Sequence, residues 1–151
     1  WGFNLNIIVD ADSCPVKKTI EKVAKELKIP VIMIIDTSHI LYSNYSKIIT
    51  VSKAPDAVDL ALINRTEKGD IVVTQDYGVA TMALGKKAYP IHHSGRLYTD
   101  DNINQLLFER YISKKQRDAG FRTNSIRKHS KNSNGSFEQS FRKLCLSHYK
   151  K

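Results

Sequence analysis

The sequence predicts an α/β protein: a three-layer α/β/α fold with a mainly parallel sheet of about five strands, followed by C-terminal helices. Three observations lead there. Short apolar runs at 5–9, 31–35, 48–51, 71–74 and 88–91 alternate with stretches of helical periodicity. Strands that alternate with helices need crossover connections, and these are right-handed. Polar and acidic residues follow the runs where an open α/β sheet holds its ligands, with Asp10 and Asp12 after the first and Gln75-Asp76 after the fourth.

Each element has a local reason. Val16, Ile20, Val23, Ala24 and Leu27 recur on one face of a helix after the first strand. Ser13 or Asp12 can cap it, and Pro15 needs no hydrogen-bonded N–H near its first turn. Pro30 ends that region, and Val31–Ile35 follows as the second strand. After strand 48–51, Pro55 opens a helix to about Arg65 with Ala57, Val58, Ala61 and Leu62 inward. Gly69-Asp70 turns into strand 71–74, and a short helix over about 78–85 leads to the last strand, 88–91. Thr99 or Asp101 can cap a helix carrying Ile103, Leu106, Leu107, Tyr111 and Ile112. Residues 1–121 thus form one α/β domain. Residues 122–136, rich in Ser, Asn, Lys and Arg, read as a basic linker. Phe137, Phe141, Leu144 and Cys145 return at helical spacing, so 137–149 reads as an amphipathic helix. So short a helix is marginal alone, so it should pack on the body or on a second subunit of a homo-oligomer.

Composition narrows the class. With 151 residues, 41% of them hydrophobic and 26% charged, the chain is an ordinary globular domain with one core. Its longest apolar run, Val31–Ile35, is far below the roughly 18 residues of a membrane span. With no basic-then-apolar leader, a cytoplasmic protein without membrane association is expected. Cys14 and Cys145 lack metal-type spacing, which fits a reducing compartment. The net charge of +9 is uneven. Residues 1–113 carry 13 basic and 13 acidic side chains, whereas 114–151 carry 11 basic ones against Asp118 and Glu138. A basic extension beside an acidic pocket suits a polyanion, so nucleic acid is the expected partner. Arg96, Arg110, Lys114, Lys115, Arg117 and Arg122 are the residues expected to meet its phosphates.

The acids point to a metal. Two carboxylates after one strand repel unless a cation or a shared proton lies between them. Hard cations such as Mg²⁺ take such oxygen ligands together with water and phosphate. Asp10, Asp12 and Asp76 are therefore read as catalytic and metal-binding residues. Asp59 and Asp56, one helical turn apart, join them as ligands. Asp59 has Val58, Leu60, Ala61 and Leu62 around it in sequence, where an unpaired acid is costly. Asp56 is also favoured by the helix dipole alone. Asp36 suits a turn as well as a site. His39, His92 and His93 read as surface histidines, since no paired ligand stands at zinc-like spacing. Cys14, near a helix N-terminus, is open to a lowered pKa but reads best as a packed thiol.

These motifs resemble the bacterial YaiI/YqxD family. Val9-Asp10-Ala11-Asp12-Ser13-Cys14-Pro15-Val16 looks like its opening motif. Asp56-Ala57-Val58-Asp59, Gly69–Asp76 and Tyr98–Ile103 follow in the same order, and the likeness covers about residues 6–120. Thr123-Asn124-Ser125-Ile126 stands where many relatives have Thr-Gly-Gly-Pro. The family is similar to PIN-like domains, which are metal-dependent nucleases. That resemblance puts Asp10, Asp12, Asp59 and Asp76 at the acidic positions. It implies a Mg²⁺- or Mn²⁺-dependent nuclease acting on RNA or DNA. Two other readings fit the residues. One is a non-catalytic nucleic-acid-binding module. The other is a haloacid-dehalogenase-like phosphatase with Asp10 as nucleophile and Asp12 as acid/base, although Asp100-Asp101 precedes a helix rather than following a strand.

Overall fold

A computed structural model of the chain describes residues 5–12, 14–120 and 131–148. Five strands, β1 (Ile7–Asp10), β2 (Val31–Asp36), β3 (Lys47–Val51), β4 (Ile71–Val73) and β5 (Tyr89–Ile91), form one sheet in the order β3-β2-β1-β4-β5. Each of its strand pairings is parallel, and an isolated antiparallel bridge joins Ile91 to Leu97. The helices are α1 (Lys17–Leu27), α2 (Ala57–Arg65), α3 (Tyr77–Gly85), α4 (Ile103–Asp118) and α5 (Lys131–Ser147).

The pleat explains the layers. Successive side chains of a strand point to opposite faces, so a sheet covered on both faces reads as an unbroken apolar run. Ile7, Val9, Met33, Ile35 and Val73 pack with Ile20, Val23 and Ala24 of α1 and with Phe137 and Phe141 of α5. Ile8, Ile34 and Val72 face the other way, onto Leu62 of α2 and Val79 and Ala83 of α3. A third cluster joins Ala80 of α3 to Tyr98 and to Ile103 and Leu106 of α4. The predicted three-layer α/β/α class is the observed one.

Several local expectations change. α1 starts from Val16 with no side-chain cap, so Asp12 is not its cap; Ser13 lies outside the described residues. α2 begins at Ala57, and Asp56 before it adopts a left-handed φ of 65°. α4 is preceded by a reciprocal pair, Asn102 N–H to Thr99 Oγ1 at 3.1 Å and Thr99 N–H to Asn102 Oδ1 at 2.9 Å. The pair closes the turn that leads into α4, whose N-cap is Asn102 with no side-chain cap, so neither Thr99 nor Asp101 caps the helix itself. Tyr111 and Ile112 are exposed although their spacing predicts burial, because α3 meets only the first turns of α4. α5 begins at Lys131, inside the stretch expected to be linker, and it packs on α1. Arg142 bridges Glu26 of α1 and Glu138, and Lys22 reaches Glu138 at 3.2 Å. Residues 121–130, with Arg122 and the segment 123–126, lie outside the described residues.

At the amino-terminal end of the sheet, Asp70 is 1% exposed and holds two chain segments. It accepts from the Asn6 N–H at 2.9 Å and from the Glu67 N–H at 2.8 Å. Removing the carboxylate strands both donors. Asp70→Ala is therefore expected to lower stability by about 1–3 kcal/mol in denaturant melts. An unchanged midpoint would show that water replaces it at no cost.

Candidate functional site

Chain topology makes the crevice. The chain runs from β1 outward to β2 and β3, then crosses back to lay β4 on the other side of β1. β1 and β4 therefore flank the switch point, and ligands bind outside the carboxyl ends of such strands. Register pairs Val9 with Val73, so the next residues, Asp10 and Thr74, stand side by side. The Thr74 hydroxyl lies 3.5 Å from Asp10 Oδ2 and accepts from the Asp76 N–H at 3.0 Å.

Asp76 serves the fold as well as the crevice. It is the N-cap of α3 and accepts from the Val79 N–H at 3.0 Å. A Cβ on Gly78 would come within 3.1 Å of its Oδ1, so glycine there leaves the carboxylate its place.

The acids interact as a group. The Asp10 carboxyl is pushed up to about 6, by burial first and then by the Asp59, Asp12 and Asp76 carboxylates; the Thr74 hydroxyl opposes this. Asp59 is also raised, by burial, then by Asp76 and Asp56. Four acids from β1, the β1–α1 turn, α2 and the start of α3 thus converge, and exposed Asp56 adds its field from the rim. Of the apolar residues beside Asp59 in sequence, Leu60 is 59% exposed and Leu62 is fully buried.

A second group adjoins the first, and it joins residues that the sequence offers only singly. Asp12 accepts from the Asp36 N–H at 3.1 Å, and its Oδ1 lies 3.0 Å from His39 Nδ1. His39 Nδ1 is also 3.3 Å from Asp36 Oδ1. One ligand atom from each of Asp12, Asp36 and His39 lies within 4.8 Å of the others. Asp36 forms its turn too, accepting from the Ser38 N–H at 2.8 Å and from the Ser38 hydroxyl. These bonds hold its carboxyl below the ordinary range. His39 is exposed, as expected of a surface histidine, and its ring stands against both carboxylates. The signal available was its place three residues after Asp36 at a strand's carboxyl end. Asp12 belongs to both groups and links them.

Other residues sort by position. A small pocket is lined by Asp10, Cys14, Thr74 and His93, which brings His93 to the crevice. Lys17 Nζ donates to the Ala11 carbonyl at 3.1 Å, placing a cation in the β1–α1 turn. Cys14 is buried and its thiol is pushed up to about 11 by that burial, so the helix N-terminus does not activate it. Tyr98 donates to the Thr74 carbonyl at 3.1 Å. Arg96 is exposed and close enough to influence Tyr98. Arg110, Lys114, Lys115 and Arg117 lie on the exposed part of α4. Among the described residues, no helix is long and apolar enough to cross a membrane.

A five-stranded parallel α/β sheet with a carboxylate cluster at its switch point defines the class of protein. The chain belongs to the uncharacterized BCR, YaiI/YqxD family, whose model matches residues 8–147. It is 60% identical over 146 residues to a UPF0178 protein of Lachnoclostridium phytofermentans, covering 95% of this chain and 98% of that one. UPF0178 proteins of Ruminiclostridium cellulolyticum and Clostridium acetobutylicum are 58% and 52% identical. The former match covers 89% of this chain and 88% of the relative, the latter 94% and 97%. No solved structure matches the chain.

Proposed function

We propose that this chain is a Mg²⁺- or Mn²⁺-dependent nuclease that hydrolyses phosphodiester bonds of RNA or DNA. The observation behind this reading is the crowding of Asp10 by Asp59, Asp12 and Asp76 at the switch point. Its oxygen donors suit a hard divalent cation. Asp10, Asp76 and Asp59 would hold it, with Asp56 at the rim, and the repulsion that raises Asp10 would be relieved. Such an ion lowers the pKa of a bound water and offsets charge on a phosphate. Asp12, oriented by the Asp36 N–H and His39, is the proton acceptor in this reading. Arg96, Arg110, Lys114, Lys115 and Arg117 would hold the strand, and binding should weaken steeply with salt.

Calorimetric titration of Mn²⁺ tests the reading, with Asp10→Asn/Asp76→Asn beside the wild type. Binding is expected in the wild type and a loss of at least about tenfold in the variant, as two ligands disappear. Binding that the variant retains would sink the metal site. Metal binding without turnover of RNA or DNA would favour a binding module. A phosphate found covalently on Asp10 would favour the phosphatase reading.

A further inference from the structure

A second cavity lies at the opposite end of the sheet. The acids stand at the carboxyl ends of β1 and β4. This cavity, about 600 Å³, opens at the amino-terminal ends of β1, β2 and β3. Strands of this length put about 13–20 Å between the two ends. Its volume lies within the range of small-molecule sites.

We propose that this cavity binds a mononucleotide. The floor is Pro30, Val31 and Ile32 at the start of β2, with the Tyr45 ring beside them. Tyr45 is fixed in place, because its hydroxyl donates to the Ile29 carbonyl and, at 3.3 Å, to the Ala24 carbonyl. Its backbone N–H donates to Ser43 Oγ at 3.1 Å, and the Ser43 and Ser46 hydroxyls both donate to Glu21. A rigid apolar floor with a preset aromatic ring takes a flat base at low entropic cost. Asn6, also in the lining, offers an amide to a base edge.

Three cations supply the anion-binding half. Lys25 and Lys28 come from the end of α1, and Lys47 from the start of β3. The helix dipole favours the first two by itself. It says nothing for Lys47, which converges from a separate element. Among the described residues none of the three has a carboxylate oxygen within 4 Å, although the Glu21 carboxylate lies near enough to Lys25 to feel its charge. Lys25 sits 5.8 Å from the Tyr45 ring centroid, so charge and ring are adjacent. An apolar slot beside three lysines matches a flat group that carries a phosphate. This inference does not rest on the nuclease reading.

Calorimetry without divalent metal tests it, using AMP, adenosine and inorganic phosphate as probes. AMP is expected to bind at least about tenfold more tightly than either fragment, since each supplies half the contacts. Lys25→Ala/Lys47→Ala should weaken AMP by about tenfold or more while the variant still unfolds in one cooperative transition. Asp10→Asn/Asp76→Asn should bind AMP as the wild type does, which separates this cavity from the acidic crevice. Absence of AMP binding would overturn the proposal. So would AMP binding that survives the lysine changes, or phosphate binding as tightly as AMP.

Discussion

Asp10→Asn is expected to stabilise the metal-free protein at pH 8 by about 1–3 kcal/mol. Most substitutions of a half-buried polar residue do the reverse. The Asp10 carboxyl is pushed up to about 6 by burial and by three carboxylates, so its charge is unwelcome in the native state. The sign follows from proton binding. Between about pH 4 and 6 the native chain holds this proton and the unfolded chain has lost it. The contribution of Asp10 to stability is therefore fully present below about pH 4 and is lost as the pH rises through about 6. Asparagine keeps the shape without the charge. Its advantage should be near full at pH 8 and close to zero at about pH 4. Urea melts of both proteins across that range check this. Saturating Mn²⁺ should reverse the order at pH 8, because a ligand that binds only the native wild type raises its stability. A wild type that outlasts the variant at pH 8 without metal would show that Asp10 is not crowded.

Phe141→Ala is expected to cost about 3–5 kcal/mol, the largest loss from any single truncation proposed for this chain. Phe141 and Phe137 are both 0% exposed, and their rings stack with centroids 5.1 Å apart. They fill the space between α1 and the sheet face carrying Ile7, Val9 and Val73. The effect should reach the crevice. A Cβ on Gly95 would meet the Phe137 backbone at 3.2 Å, and the Ser140 hydroxyl donates to the Gly95 carbonyl. α5 thus braces the loop that carries His93 to Asp10. Melting curves give the cost, and amide exchange of residues 92–96 should quicken in the variant. Exchange that stays as slow as in the wild type would mean that the loop is held without α5.

Much of this was legible in the chain. Runs such as Ile7–Val9 and Ile71–Val73 are apolar throughout because both faces of a parallel strand are covered, so length and β-branching identify them. Val16, Ile20, Val23 and Ala24 mark the buried face of α1 by spacing alone. Asp10, Asp12 and Asp76 stand out because acids at strand ends need a reason. α4 was harder to read. Its periodicity runs on through Tyr111 and Ile112, but a helix buries its stripe only where a neighbour exists, and α3 stops short.

By itself, then, the sequence determined the α/β class, the strands, the inward faces and the acids at the carboxyl ends, because these follow from local periodicity and chain connectivity. Only the tertiary structure decided that Asp59 meets Asp10, that His39 joins Asp12 and Asp36, and that three lysines ring a cavity at the far end. Each of these groups draws residues from separate elements. Their nearness depends on strand order and on the direction of a crossover, and local spacing carries no record of either.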